Sequence, residues 1–472
     1  MTTIPDREAL ATSPSRDLAL ACIEAGIEAA HPDRVVREAV ALSDRRVRVA
    51  DSTYDLYAFD RVVVLGGGNA AAQVTTAIES VLGNHVDGGV VVTDDPVPLD
   101  VVRALPADHP VPTERGVEST RTLLDVAKGT DEGTLVLGVV TGGGSALMAA
   151  PADGISLSAL RETTEALLRS GATIHEINAV RKHLSAIKGG RLARELAPAT
   201  VVSLVFSDVV GNDLDVIASG PLVPDESTYE EALEVIDRYD VRVPSAVRTH
   251  LDAGRRGERP ETPSRGDPIF DRVSTHVLAD GSTALDAAAR TAASAGYEPL
   301  VLSSRFEGDP VALGRTHAAI VDEVAATGNP VDPPAVLLSG GETTVSVTGT
   351  GTGGPNQEFA LASALASSAP ATVASVDTDG IDGAADAAGA MLDSETLAEA
   401  GTMANPGAVS GANTRAHSEA TAGGDVESRD DRAREALAEH NVSPFLTSID
   451  AAITTGPTGT NVNDLRVVVV PE

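Results

Sequence analysis

The run Val62-Val63-Val64-Leu65-Gly66-Gly67-Gly68-Asn69-Ala70-Ala71-Ala72 decides the fold class. Its four consecutive apolar residues lack the alternation of a half-solvated strand and suit a strand buried on both faces. Three glycines then permit a tight turn, and the alanines after Asn69 are good helix formers. Strand, glycine turn and helix start make the unit in which backbone N–H groups at a helix N-terminus face an anion. Gly66-x-Gly68-x-x-Ala71 also fits a relaxed dinucleotide fingerprint, but the ribose-binding acid expected about 20 positions on is absent. The next acids at a strand end are Asp94 and Asp95.

Similar runs follow: VVVT at 90–93, TLVLGVV at 134–140 and VVSLVF at 201–206, each separated by helical patterns. Apolar runs alternating with helices indicate a parallel sheet. Residues 16–42 carry apolar positions at helical spacing, broken near His31-Pro32, so two amphipathic helices covering a sheet face are expected there. The segment 240–271 is rich in Pro, Arg and Gly without sustained periodicity and reads as a loop or interdomain crossing. A second series comprises THVLAD at 275–280, EPLVLSS at 298–304, AVLLSGG at 335–341, TTVSVTG at 343–349, ATVASVDTDG at 371–380 and VVVV at 467–470. A chain of 472 residues exceeds what one hydrophobic core supports. The expectation is an α/β protein of two domains, residues 1–240 and 273–472, joined by a linker at 241–272.

A formal net charge of −34 repels nucleic-acid phosphates and anionic membrane surfaces. Of 35 basic residues only Lys128, Lys182 and Lys188 are lysines, and the composition resembles that of proteins from salt-loving archaea. Most carboxylates are therefore read as surface solvation unless a motif frames them. The one cysteine, Cys22, excludes an intrachain disulfide and a Cys-based metal site, and a reducing cytoplasm is the expected compartment. No stretch approaches a membrane span, and the first residues lack a signal-peptide core.

Four constellations carry chemistry in the first half. Gly66, Gly67 and Gly68 form the first glycine turn, and Gly142-Gly143-Gly144-Ser145 after the 134–140 strand forms a second. Two such turns on successive strand ends suggest one shared phosphate crevice. Asn178, Arg181, Ser185 and Lys188 recur at helical spacing, and Lys182 joins Lys188 within seven residues in a chain that has almost lost lysine. Asp208 caps the 201–206 strand at its carboxyl end, where open α/β sheets put their ligands. In the second half, Glu342 follows a strand, while Asn356 and Glu358 stand near a helix start. Asp379 and Asp382 sit among glycines where a hard divalent cation or Asx-turns are equally served. Thr458, Thr460 and Asn461 form a polar loop suited to an anion or sugar acid.

In this order, from about Leu18 to Val470, the motifs resemble the glycerate 2-kinase family, which joins a Rossmann-like kinase domain to a MOFRL domain. The resemblance rests on His109-Pro110-Val111-Pro112, Gly142 to Leu147, Asn178, Arg181, Lys182, Ser185, Lys188-Gly189-Gly190, Ser207-Asp208, Ser219-Gly220-Pro221, Gly341-Glu342, Asn356-Gln357-Glu358, Asp379-Gly380, Asp382-Gly383 and Thr455 to Asp464. It implies ATP- and Mg²⁺-dependent phosphorylation of D-glycerate at its 2-hydroxyl. Phosphates would meet both glycine turns and Ser145; Lys182, Lys188, Arg181, Asn69 and Asp208 would serve catalysis. Asn178, Ser185, Glu342, Asn356, Glu358, Thr458, Thr460 and Asn461 would hold substrate, and Asp208, Asp379 and Asp382 the metal. A homodimeric assembly stays open. Departures from the family pattern are Asn69 for a lysine, Thr352 and Pro355 for arginines, Asn212 for an aspartate, and an altered stretch around Gly411-Ala412-Asn413-Thr414. Two other readings stand beside it: an NAD(P)-dependent hydroxypyruvate reductase, and a paralogue that binds without transferring phosphate.

Overall fold

A computed structural model describes residues 4–345, 351–398 and 428–472. The chain divides into two compact units, one comprising 28–283 with 459–463, the other 1–27, 284–458 and 464–472.

In the first unit three short strands, β1 (Val40–Ser43), β2 (Arg46–Val49) and β3 (Ser52–Asp55), form an antiparallel meander. Six more follow: β4 (Arg61–Gly67), β5 (Gly88–Thr93), β6 (Arg103–Pro106), β7 (Thr134–Val140), β8 (Thr200–Phe206) and β9 (Val273–Ala279). They make a wholly parallel sheet in the order β6-β5-β4-β7-β8-β9. Counted from β4 this is the 3-2-1-4-5-6 order of a doubly wound fold, whose direction reverses between β4 and β7. Every residue of β7 is buried, as the unbroken apolar run requires.

The second unit holds β10 (Glu298–Gly308), β11 (Ala335–Thr343), β12 (Thr372–Asp377), β13 (Gly389–Asp393), β14 (Ala452–Ile453) and β15 (Asp464–Val470). Their order is β10-β11-β15-β12-β13-β14, with β10 and β11 parallel and the other pairs antiparallel. His317, on the helix Pro310–Thr327, is held by the Leu313 carbonyl and Ser339 Oγ, and burial pushes its imidazole down to about 4.

Four expectations need correction. The second amphipathic helix stops at Ala39, because Val40 enters the meander, whose β2 alternates exposed arginine with buried valine. Within 241–272 a helix spans Ser245–Arg255. Its buried face is Val247, His250, Leu251 and Gly254, and the small and polar members of that set hid the helical period. A Cβ at Gly254 would fall 2.2 Å from the Tyr229 ring, so glycine is what lets the ring pack there. The strand at 273–279 pairs with β8 and completes the first sheet, so the division falls at 283 rather than 272. The first 27 residues group with the C-terminal half: Arg16 pairs with Asp393 at 3.0 Å, and Gly26 lies against Leu465. Most of the expected strand TTVSVTG and all of 411–414 lie outside the described residues.

Candidate active site

The loops leaving β4, β7 and β8 meet at the point where the sheet order reverses. The N–H groups of the first glycine turn are taken by other parts of the chain. Gly68 N donates to the Val92 carbonyl at 3.0 Å, Asn69 N to the Gly142 carbonyl at 2.8 Å, and Ala70 N to Thr141 Oγ1 at 3.3 Å. These are the groups expected to face an anion, and they are instead spent on β5 (Gly68) and on the second turn (Asn69 and Ala70).

The second turn is the open one. Among the described residues the N–H groups of Gly142 and Gly143 donate to no backbone carbonyl. Gly143 has φ +71°, and a Cβ there would fall 1.8 Å from Asn69 Oδ1. A Cβ at Gly142 would fall 2.0 Å from an Asp208 carboxylate oxygen. The left-handed φ calls for glycine at 143, while at 142 a side chain would have to displace the Asp208 carboxylate; Asn69 and Asp208 both lie against the turn.

Lys188 reaches the same turn. Its ammonium donates to the Ser145 carbonyl at 2.7 Å and to Ser145 Oγ at 3.2 Å. Ser219 Oγ lies 2.5 Å from Ser145 Oγ and donates to Asn178 Oδ1 at 3.0 Å. Since the amide oxygen only accepts, the direction of donation runs Lys188, Ser145, Ser219, Asn178, a chain in which each bond polarises the next. Ser219 is held at φ +61° between Ala218 at +51° and Gly220 at +61°. Such left-handed non-glycine residues cost about 1–3 kcal/mol each and persist where the surroundings fix them. Asn178 Nδ2 is buried with no acceptor among the described residues.

Lys188 is buried, and desolvation first, the neighbouring Arg181 second, push its ammonium well below the usual lysine range. Burial alone pushes Arg181 down to about 10. Two neighbouring cations, Lys188 buried and Arg181 half-buried, are unfavourable unless an anion joins them. Both line a cavity of about 670 Å³, as do Gly143 and Ser145. Val111, Ala149, Leu160 and Leu168 form its apolar walls. The helix Leu157–Leu168 gave no local signal of this role, since its sequence reads as an ordinary amphipathic helix.

Other expected residues are placed differently. Lys182 is buried with its ammonium 2.9 Å from Asp215 and 3.1 Å from Asp225, an internal ion pair rather than a phosphate contact. Ser185 Oγ donates to the Ala150 carbonyl at 3.3 Å on the cavity wall. Asn212 donates to Asp280, where an aspartate would set two carboxylates against each other. In the second unit both Asp382 oxygens are committed, accepting Asn356 N and Gln357 N at 2.9 Å each and so capping the helix Pro355–Ala366. That carboxylate caps a helix and has little left for a metal. Asp379 accepts Ile381 N at 2.8 Å, Glu358 accepts from His440 Nδ1 at 2.9 Å, and Asn356 Nδ2 donates to Asp464 at 2.6 Å. Thr458 donates to Asp379 and Thr378 carbonyls, Thr460 to Ala30, and Asn461 accepts from Asn463 N. Glu342 stands exposed on β11. Asp208 belongs to one unit and Asp379 and Asp382 to the other.

Fold and crevice define the class: a doubly wound α/β protein that presents a buried lysine, a half-buried arginine and an open glycine turn at its topological switch point. A family model described as a domain of unknown function, DUF4147, matches residues 18–252, and the MOFRL family model matches 335–418. The glycerate 2-kinase of Pyrococcus horikoshii is 38% identical over 464 residues, covering 96% of this chain and 97% of its own. The D-glycerate 2-kinase of Thermotoga maritima is 36% identical over 455 residues, covering 95% and 97%. The crystal structure of glycerate kinase from T. maritima aligns with a TM-score of 0.79 at 35% identity, covering 96% of this chain and 98% of that one. The chain belongs to the glycerate 2-kinase family, as its motif order implied.

Proposed function

We propose that this protein transfers the γ-phosphoryl group of ATP to the 2-hydroxyl of D-glycerate, with Mg²⁺, in a reducing, salt-rich cytoplasm. The observation that carries this reading is that half-buried Arg181 and buried Lys188 line, together with Gly143 and Ser145, a cavity about 670 Å³ in volume. The cavity far exceeds a three-carbon acid, and its apolar walls suit a nucleobase and ribose, leaving Arg181 and Lys188 for phosphates.

Lys188 and Arg181 hold and neutralise charge on the transferred group, the chief work in phosphoryl transfer. The donor chain from Lys188 to Asn178 fixes that geometry before substrate arrives. Asn178 Nδ2 is an orphaned donor for a ligand oxygen. Asp208, a hard carboxylate beside the open turn, would hold Mg²⁺, which supplies charge neutralisation on the phosphates. Asp208 is also the carboxylate nearest the turn for receiving the hydroxyl proton. The test is a coupled ADP-release assay with ATP and Mg²⁺ at high KCl across D-glycerate, tartronate and related 2-hydroxy acids. Release with D-glycerate at the highest kcat/KM is expected; folded protein that releases no ADP with any of them refutes the reading.

A further inference from the structure

The chain Lys188, Ser145, Ser219, Asn178 carries chemistry beyond holding phosphate. Ser145 Oγ lies 3.2 Å from Lys188 Nζ and 2.5 Å from Ser219 Oγ. A hydroxyl against a buried amine, with a second hydroxyl touching it, has the parts of an activated nucleophile: the amine takes the proton as the oxygen attacks. The three groups differ in access. Ser219 is 0% and Lys188 3% exposed. Ser145 instead lines the cavity of about 670 Å³, beside Gly143, Ala146 and Ala149, whose side chains are small or absent.

Two further observations point the same way. Among the described residues Lys188 pairs with no carboxylate, and desolvation, then Arg181, push it well below the usual lysine range, so without bound phosphate its neutral amine is favoured. A neutral amine accepts, and the hydrogen bonds then run towards it. The Asn178 amide, turned over, donates to Ser219, Ser219 to Ser145, and Ser145 to Lys188, which still donates to the Ser145 carbonyl at 2.7 Å. The N–H groups of Gly143 and Ser145 also donate to no backbone carbonyl among the described residues. They stand two residues apart on the turn, as donors to a developing oxyanion do when the nucleophile contributes one of them.

We propose that Ser145 is a covalent nucleophile with Lys188 as its base, and that the crevice hydrolyses small carboxylic esters. Ser145 Oγ bonds to the ester carbonyl carbon as its proton passes to Lys188 Nζ. The bond from that carbon to the alcohol oxygen breaks, and Lys188 returns the proton to the departing oxygen. Water then adds to the acyl-Ser145 ester, Lys188 again carrying the proton, and the carboxylic acid leaves with the serine restored. The activity needs neither ATP nor a metal ion, so it stands or falls separately from phosphoryl transfer.

The test uses the full chain in EDTA at high KCl, without nucleotide. Release of p-nitrophenolate from p-nitrophenyl acetate measures turnover, and phenylmethanesulfonyl fluoride, which leaves a stable adduct as fluoride departs, marks the nucleophile for peptide mass spectrometry. Turnover above that of the denatured chain is expected, with one adduct on the peptide carrying Ser145. Ser145→Ala should abolish both, and Lys188→Met should slow release by about 10²-fold or more, each variant melting cooperatively. Asp125→Asn, at an exposed site, should change neither. Folded parent without turnover or without an adduct at Ser145 overturns the proposal, as does turnover that survives Ser145→Ala or Lys188→Met.

Discussion

Lys188→Met separates catalysis from stability at the centre of the crevice. The lysine spends two of its three N–H donors on Ser145, leaving one for a ligand. Losing a preorganised donor in a buried site lowers kcat by about 10²–10³, or roughly 2.7–4 kcal/mol. Stability should barely move, because two effects oppose. Removing a desolvated charge next to Arg181 is neutral or favourable by about 1–4 kcal/mol, while orphaning the Ser145 carbonyl costs about 1–3 kcal/mol. The pH dependence carries the sign. Lys188 has its folded value lowered below the unfolded one, so between those two values the unfolded chain holds the extra proton. Parent stability therefore rises with pH across that window, by at most about 1.4 kcal/mol per unit, and Lys188→Met should lose this rise. Steady-state kinetics with D-glycerate and urea melts from pH 6 to 10 measure both. Activity within about threefold of the parent, or a slope that survives the substitution, refutes the reasoning.

Four further substitutions probe the rest. Lys182→Met strands buried Asp225 and its neighbour Asp215, and should cost about 3–5 kcal/mol in urea unfolding, marking Lys182 as structural. Gly143→Ala forces a Cβ into Asn69 at a left-handed φ, so isothermal titration should show ATP affinity falling more than tenfold in protein that still folds. Asp382→Asn replaces an acceptor with a donor facing Gln357 N and should cost about 1–2 kcal/mol in a thermal melt. Burial raises the Asp382 carboxyl to about 7 against an ordinary 3.8, so its stabilising share is full below 3.8 and is lost as pH rises through 7; the variant should lose that decline. Asn69→Lys adds a cation beside the open turn; if Arg181 and Lys188 suffice, kcat changes less than tenfold, and a hundredfold gain would show that they do not.

The doubly wound sheet was legible because each buried strand announces itself as an unbroken valine-rich run, from VVVL to VVSLVF. The meander at 40–55 was not, since strands of four residues carry too few positions to outweigh the helical pattern before them. The unit boundary escaped because it depends on which partners Arg16, Gly26 and the 273–279 strand find far along the chain. At the site, local composition identified Lys188, Arg181, Ser145 and the glycines, whose chemistry is intrinsic. It could not tell which glycine turn would be closed, because that rests on Asn69 N meeting the Gly142 carbonyl. Nor could it separate Lys182 from Lys188: both are rare lysines, and only Asp215 and Asp225, 33 and 43 residues later, reveal which one is paired.

The most direct measurement is phosphorus NMR of the product made by the full chain from ATP, Mg²⁺ and D-glycerate at high KCl. The resonance of 2-phosphoglycerate, growing with ADP and falling about 10²–10³-fold in rate for Lys188→Met, is the predicted result. Folded protein that yields 3-phosphoglycerate, or no phosphorylated acid at all, would contradict the account.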